Sequence, residues 1–154
     1  MAIERLSDIL RPESVLAPLG AETRDNAIAE LIGVLGPSGA SVDAKAFSEA
    51  VLAREEAGST GIGNGVAIPH ARSPRIAKPM LAAGLSPRAI DFKAADGKPV
   101  SLVFLLAVPE SSPVSHLKIL AALSRVASDK KLLRALNASS SSRELYDQLA
   151  GIAV

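Results

Sequence analysis

Val100-Ser101-Leu102-Val103-Phe104-Leu105-Leu106-Ala107-Val108 is apolar at every position except Ser101. Alternating polarity would mark a strand with one wet face. A nearly unbroken run marks a strand covered on both faces, and therefore an interior strand of a sheet with helices on either side. The run is too short to cross a bilayer, which takes about 20 apolar residues, and Ser101 interrupts it. Working outward, Ala27, Ile28, Leu31, Ile32 and Leu35 recur at i, i+3/i+4 spacing. They predict a helix from Arg24 to about Leu35, with Thr23 as N-cap and Gly36-Pro37-Ser38-Gly39 as its stop. Ser41 opens a second predicted helix, from about Asp43 to Glu56, burying Phe47, Ala50, Val51 and Ala44, with Gly58 at the capping position. Met80 to Leu85 predicts a strand, Ile90-Asp91-Phe92 a short edge segment, and Asp96-Gly97 a turn.

Beyond the central strand, a third helix is predicted from about Val114 to Ser128, with Leu117, Leu120, Ala121, Leu123 and Ser124 toward the core. A short helix from Asp129 through Leu136 follows. After the serine run Ser139 to Ser142, Ser141 and Glu144 have capping-box spacing for a last helix, Arg143 to about Ala150. Leu6, Ile9 and Leu10 read as a short helical or irregular opening that Pro12 ends. Ala71 to Pro79, with two prolines and Arg72, Arg75 and Lys78, reads as a loop. The fold class is α/β (α+β), a sheet covered by helices, and 154 residues most simply form one domain, 1–154.

Composition narrows the function. A formal charge of +1 and 3% aromatic residues serve neither phosphate backbones nor base stacking, so no nucleic-acid partner is expected. The absence of cysteine removes disulfides, thiol catalysis and Cys-ligated zinc. Met1-Ala2-Ile3-Glu4-Arg5 has no apolar signal core, and a soluble, cytoplasmic protein without membrane insertion is expected.

Chemistry concentrates in Thr60-Gly61-Ile62-Gly63-Asn64-Gly65-Val66-Ala67-Ile68-Pro69-His70. Glycines at alternate positions allow backbone amides to curl around an anion. Val66-Ala67-Ile68 reads as a short buried strand, and Pro69 stiffens the approach to His70, one of two histidines in the chain. A loop able to cradle an oxyanion, followed by a held imidazole, points to phosphate handled by the histidine itself. The same residues also fit a tight turn before a core strand, with His70 structural. Neither nucleotide fingerprint applies: no Lys-Ser/Thr follows the glycines, and the loop feeds a strand rather than a helix.

Arg54 lies in the last turn of the second helix, where its fork geometry suits phosphate oxygens. Beside it, Glu55 and Glu56 most simply face solvent, or else hold Arg54 or position a loop amide. His116 falls in the first turn of the third helix, where a neutral imidazole is favoured and can still donate one hydrogen bond. A closed zinc site would need carboxylates beyond the two histidines. Ser59, Ser73 and Ser115 stand in no nucleophile elbow.

The stretch from Arg54-Glu55-Glu56-Ala57-Gly58-Ser59 through Ala67-Ile68-Pro69-His70 resembles the phosphorylation segment of the fructose/mannitol-type EIIA domains of the bacterial phosphotransferase system. Within that family it is most similar to the nitrogen-regulatory (PtsN) branch. The resemblance extends to Ser115-His116-Leu117 and to Arg143-Glu144-Leu145-Tyr146; Ala71 departs from the glycine usual in close relatives. It implies a mixed sheet of about five strands with helices on both sides. It also implies that His70 is phosphorylated, with Arg54 and His116 lining the site beside the phosphate-binding loop of Thr60, Gly61, Ile62, Gly63, Asn64 and Gly65. No cofactor or metal is expected. An HPr or NPr carrier would be the donor, and regulatory proteins such as potassium-transport or sensor-kinase components the readers. A sugar-specific EIIA passing phosphate to an EIIB is the alternative within the family, and a non-catalytic binding module the alternative outside it. With no attached EIIB or EIIC portion, a free-standing carrier is expected.

Overall fold

The structure is a computed structural model that describes residues 2–35 and 44–154. Val100–Pro109 (β6) is the interior strand that its composition requires. Met80–Ile90 (β5) runs antiparallel along one side of it, and Leu10–Leu16 (β1) adds parallel to β5 at the edge. The other side of β6 is taken by Val66–Ala67 (β3) and then by His70–Ser73 (β4), both parallel to it, and Gly61–Gly63 (β2) pairs antiparallel with β3. The sheet order is β1-β5-β6-β3-β2, with β4 also on β6. Six strands thus fill five lanes, because β3 and β4 share one lane that Pro69 interrupts. Proline has no N–H to give the ladder. Its carbonyl still accepts from the Leu106 amide at 3.0 Å, which keeps β4 in line with β3.

Alternation along β6 separates two cores. Leu102, Phe104, Leu106 and Val108 pack with Ile119, Leu123, Val126, Leu133, Leu136, Leu145 and Leu149. Those residues belong to the helices Pro113–Ser128 (α3), Lys130–Asn137 (α4) and Ser142–Ala150 (α5). Val103, Leu105 and Ala107 pack with Ile28, Leu31, Leu35, Phe47 and Val51 from Arg24–Leu35 (α1) and Ala44–Ala57 (α2). Helices therefore cover both faces.

The helix caps follow the sequence. Thr23 Oγ1 accepts from the Asn26 amide at 3.2 Å, and Ser141 Oγ from the Glu144 amide at 3.1 Å. The expected stop at Gly36–Gly39 and the opening at Ser41 and Asp43 lie outside the described residues.

Several expectations need correction. The opening segment is a 3₁₀ turn, Leu6–Asp8, followed by β1, so Pro12 sits inside a strand rather than ending a helix. An edge strand with a bulge tolerates it: the register slips between Leu10 and Val15, and the Ser14 hydroxyl donates to the Leu81 carbonyl at 3.0 Å. Ala71 to Ser73 belongs to β4 instead of a loop. β5 continues unbroken through Ile90. In α3 the buried stripe is Ile119, Ala122, Leu123 and Val126, so Leu117, Ala121 and Ser124 lie outside it, and in α2 Ala44 is exposed.

The glycine-rich segment is a β-hairpin rather than an open loop. Asn64 and Gly65 both have positive φ, 57° and 78°, as a tight two-residue turn requires. At Gly61 the absence of a side chain is enforced by packing, since a Cβ there would lie 2.6 Å from the Ala94 Cβ and 2.9 Å from its Cα. Gly61→Ala is expected to cost about 1–3 kcal/mol through overpacking. Gly33→Ala, in the interior of α1 with nothing within 4 Å of the added Cβ, is expected to stabilise by up to about 1 kcal/mol. Urea denaturation of the two variants measures both, and equal midpoints would refute the steric account.

Candidate active site

The interruption at Pro69 sets the site. Ile68 joins the core under α3–α5 while Ala67 and Ala71 join the core under α1 and α2. Alternation therefore turns His70, the first residue of β4, toward α3. There its ring meets that of His116, edge to face, with centroids 5.2 Å apart and planes at 74°. His116 comes from the first turn of α3, where its amide bonds the Ser112 carbonyl at 3.2 Å.

His70 Nδ1 lies 2.6 Å from the Ile68 carbonyl oxygen. A carbonyl only accepts, so Nδ1 carries the hydrogen and, in the neutral ring, Nε2 carries the lone pair. Burial lowers the His70 pKa from the ordinary 6.5. The bond to Ile68 opposes that shift, the Arg54 guanidinium adds to it, and the Glu55 carboxylate opposes it. The His116 pKa is also lowered, first by burial and then by His70 and Arg72. His116 Nε2 is buried and finds no hydrogen-bond partner among the described residues. A buried nitrogen of that kind favours any ligand that brings it a hydrogen-bonding partner.

Arg54 stands exposed at the end of α2. One of its terminal nitrogens donates to the Gly58 carbonyl at 2.7 Å, which leaves most of its five N–H donors for other partners. Glu55 is 3% exposed, against the simplest expectation that it faces solvent. It binds the Thr60 amide at 3.2 Å and the Thr60 hydroxyl, and so does position a loop amide. Glu56 stays exposed and pairs with Arg24 at 2.9 Å. The signal for Glu55 was in the sequence: Phe47, Val51 and Glu55 form one i, i+4, i+8 stripe.

The hairpin contributes less to this site than its glycines suggest. The Thr60 amide is taken by Glu55, the Gly61 amide by the Ser59 hydroxyl at 3.0 Å, and the Asn64 amide by Asp96 at 3.2 Å. At the tip, the Asn64 side-chain amide donates to the Ala127 carbonyl at 2.8 Å, near the far end of α3. With a rise of 1.5 Å per residue, that end lies about 16 Å along the axis from His116. The structure thus packs His70 against His116, sets Arg54 close enough for its charge to act on His70, and holds the tip, Asn64-Gly65, away from them. Ile62 is partly exposed on the hairpin. Among the described residues no group of three or more His, Cys, Asp or Glu side chains is placed to hold a metal ion.

Residues 8–151 match the family described as phosphoenolpyruvate-dependent sugar phosphotransferase system, EIIA 2. The chain belongs to this family. The nitrogen regulatory protein of Bradyrhizobium diazoefficiens is 36% identical over 94% of each chain. A fructose-specific EIIA component of Haloferax volcanii is 34% identical over 99% of each. The crystal structure of the nitrogen regulatory protein IIA-Ntr from Neisseria meningitidis superposes with a TM-score of 0.87 at 32% identity, covering 94% of this chain and 99% of that one. As an EIIA, the chain is a component of a phosphotransfer system, and among the described residues no helix is long and apolar enough to cross a membrane.

The two histidines make a prediction about pH. Both are less basic when folded than in the unfolded chain, where 6.5 applies. As pH falls through that value the unfolded chain takes up protons first. Their contribution to stability is therefore full above about pH 6.5 and is lost as pH drops toward the folded-state values. Denaturation curves from about pH 8 to about pH 5 should show a shallower loss in the His70→Gln, His116→Gln double variant than in the parent. Equal slopes would refute the assignment.

Proposed function

We propose that the protein is a cytoplasmic phosphohistidine carrier of a nitrogen-related phosphotransferase relay. In this reading it accepts a phosphoryl group on His70 from an HPr- or NPr-type protein, and its phosphorylation state is read by regulatory partners such as potassium-transport or sensor-kinase proteins. The observation that carries this is the fixed tautomer of His70. Its Nδ1–H is committed to Ile68, which leaves the lone pair on Nε2 as the nucleophile, and the ring packs against that of His116, whose Nε2 is unpartnered.

In the transfer, Nε2 attacks phosphorus in line. The Nε2–P bond forms as the N–P bond to the donor's imidazole breaks, and the electron pair of that bond returns to the donor ring. The His70 Nδ1–H proton stays on its nitrogen. Arg54 and His116 donate hydrogen bonds to the phosphoryl oxygens as charge spreads over them. A lowered pKa keeps both rings neutral at pH 7, as a nucleophile and a donor require. The glycine hairpin, with its Thr60, Gly61 and Asn64 amides engaged, serves mainly to hold the lead-in to His70, with Ile62 exposed on it. Val114 and Leu117, 69% and 67% exposed and one turn apart beside His116, supply an apolar rim for a protein donor to cover.

Intact mass after incubation with phosphoenolpyruvate, enzyme I and either carrier tests the reading. The expected gain is one acid-labile phosphoryl group, lost in His70→Ala, with transfer slowed about a hundredfold in Arg54→Ala and in His116→Ala. No gain with either carrier would overturn it. The likeness to a fructose-specific EIIA favours a second reading, in which the group passes on to an EIIB. Loss of label on adding a fructose-type EIIB would select that reading.

A further inference from the structure

Among the described residues Glu55 is the one acidic side chain that is buried. A carboxylate taken out of water is costly unless hydrogen bonds compensate. Here they come from Thr60, itself buried: the amide donates to Oε2 at 3.2 Å and the hydroxyl to Oε1. The connections continue. The Thr60 carbonyl accepts from the Ile68 amide at 3.0 Å, and the Ile68 carbonyl accepts from His70 Nδ1–H at 2.6 Å. A series of contacts between neighbouring residues thus joins the last turn of α2 to the back of the imidazole, without involving Arg54.

We propose that Glu55 is the positioning residue for phosphoryl transfer through His70. Through Thr60 and Ile68 it fixes the ring's orientation and tautomer, and its buried charge offsets the positive charge that the ring acquires. This rests on the reading of His70 as the acceptor. When Nε2 gives its lone pair to phosphorus and Nδ1 keeps its hydrogen, the ring becomes formally cationic while the phosphoryl group stays anionic. The charged groups whose fields reach the pair of rings are Arg54 and Glu55 from α2 and Arg72 from β4. Arg54, Arg72 and His116 suit the phosphoryl oxygens and disfavour charge on the ring. Glu55 is the anion of the set, and its field acts on His70 in the opposite sense to that of Arg54. Arg54 and Glu55, adjacent in sequence, therefore divide the work: one faces the group transferred, the other supports the ring that receives it.

The test uses the full chain as Glu55→Gln, which keeps the shape and removes the charge, and Thr60→Val, which keeps the charge and removes the hydroxyl. NMR titration of the ring nitrogens reports the His70 midpoint and tautomer without any phosphoryl donor. Transfer is timed from a phosphorylated HPr- or NPr-type carrier. In Glu55→Gln the His70 midpoint should move to lower pH, transfer should slow about ten- to a hundredfold, and the phosphohistidine should hydrolyse faster. In Thr60→Val the Nδ1–H tautomer should lose its dominance and transfer should slow by about the same factor. A wild-type midpoint and wild-type transfer rate in a folded Glu55→Gln would overturn the proposal. Should that variant fail to fold, wild-type tautomer and rate in Thr60→Val would overturn it. A parent chain that takes no phosphoryl group refutes the acceptor reading instead, and the titration still shows whether Glu55 governs His70.

Discussion

The hydrogen bond from His70 Nδ1 to the Ile68 carbonyl is the constraint on which the chemistry proposed for this protein depends. It spans two residues and closes around a proline, so its geometry is set by the backbone, which Pro69 stiffens and which the Thr60 carbonyl holds at the Ile68 amide. Pro69 has no N–H for the ladder and restricts Ile68 to extended conformations. The Ile68 carbonyl is thereby turned toward the ring of the residue that follows the proline. An imidazole held at one nitrogen has a defined lone pair at the other. Without that bond both tautomers would be populated, and only a fraction of molecules would present a nucleophile.

The fold supplies the two elements that meet at this point. β6 is long enough to hold β3 and β4 end to end in one lane, with Val66 opposite Leu102 and His70 opposite Leu106. The break between β3 and β4 can occur there because β6 continues past it, covered on both faces. α2 from one layer and α3 from the other reach the same end of that lane. Arg54 and Glu55 lie in the last turn of one helix and His116 in the first turn of the other. Opposite helix ends bring complementary properties: cations are favoured at the C-terminal end of α2 and a neutral imidazole at the N-terminal end of α3.

Much of this was legible in the sequence, and the exceptions have physical causes. The run Val100–Val108 announced a doubly covered strand, and the spacing of Ala27, Ile28, Leu31, Ile32 and Leu35 gave α1 residue for residue. β1 was missed because Pro12 is a strand breaker everywhere except at an edge or bulge, and sequence does not show which strand is at the edge. β2 was read as part of a loop because three glycines depress strand propensity, while Val66-Ala67-Ile68 was read as the strand that β3 is. Asn64-Gly65 was nevertheless a two-residue turn signal of the strongest kind. In α3 two stripes of apolar and small residues compete, one through Ile119, Ala122, Leu123 and Val126 and one through Leu117, Leu120, Ala121 and Ser124. Periodicity cannot choose between them, and the stripe left exposed includes the leucine beside His116.

Glu55 shows most clearly why a site is harder to read than a fold. By residue type it belongs in solvent, and by position it belongs in the stripe of Phe47 and Val51. Position prevails because Thr60 reaches it with both an amide and a hydroxyl, a match that exists only once α2 and β2 are brought together. The Gly-Ser between helix and hairpin makes that approach short enough. The Ser59 hydroxyl takes the Gly61 amide. The segment that looked like an anion cradle thus directs much of its hydrogen bonding inward, to the chain's own carboxylates and hydroxyls. Its Thr60 carbonyl, through the Ile68 amide, fixes the backbone that leads to His70. What the glycine-rich stretch holds is the histidine, and the histidine, packed against His116 with the Arg54 field acting on it, is the group that the proposed transfer uses.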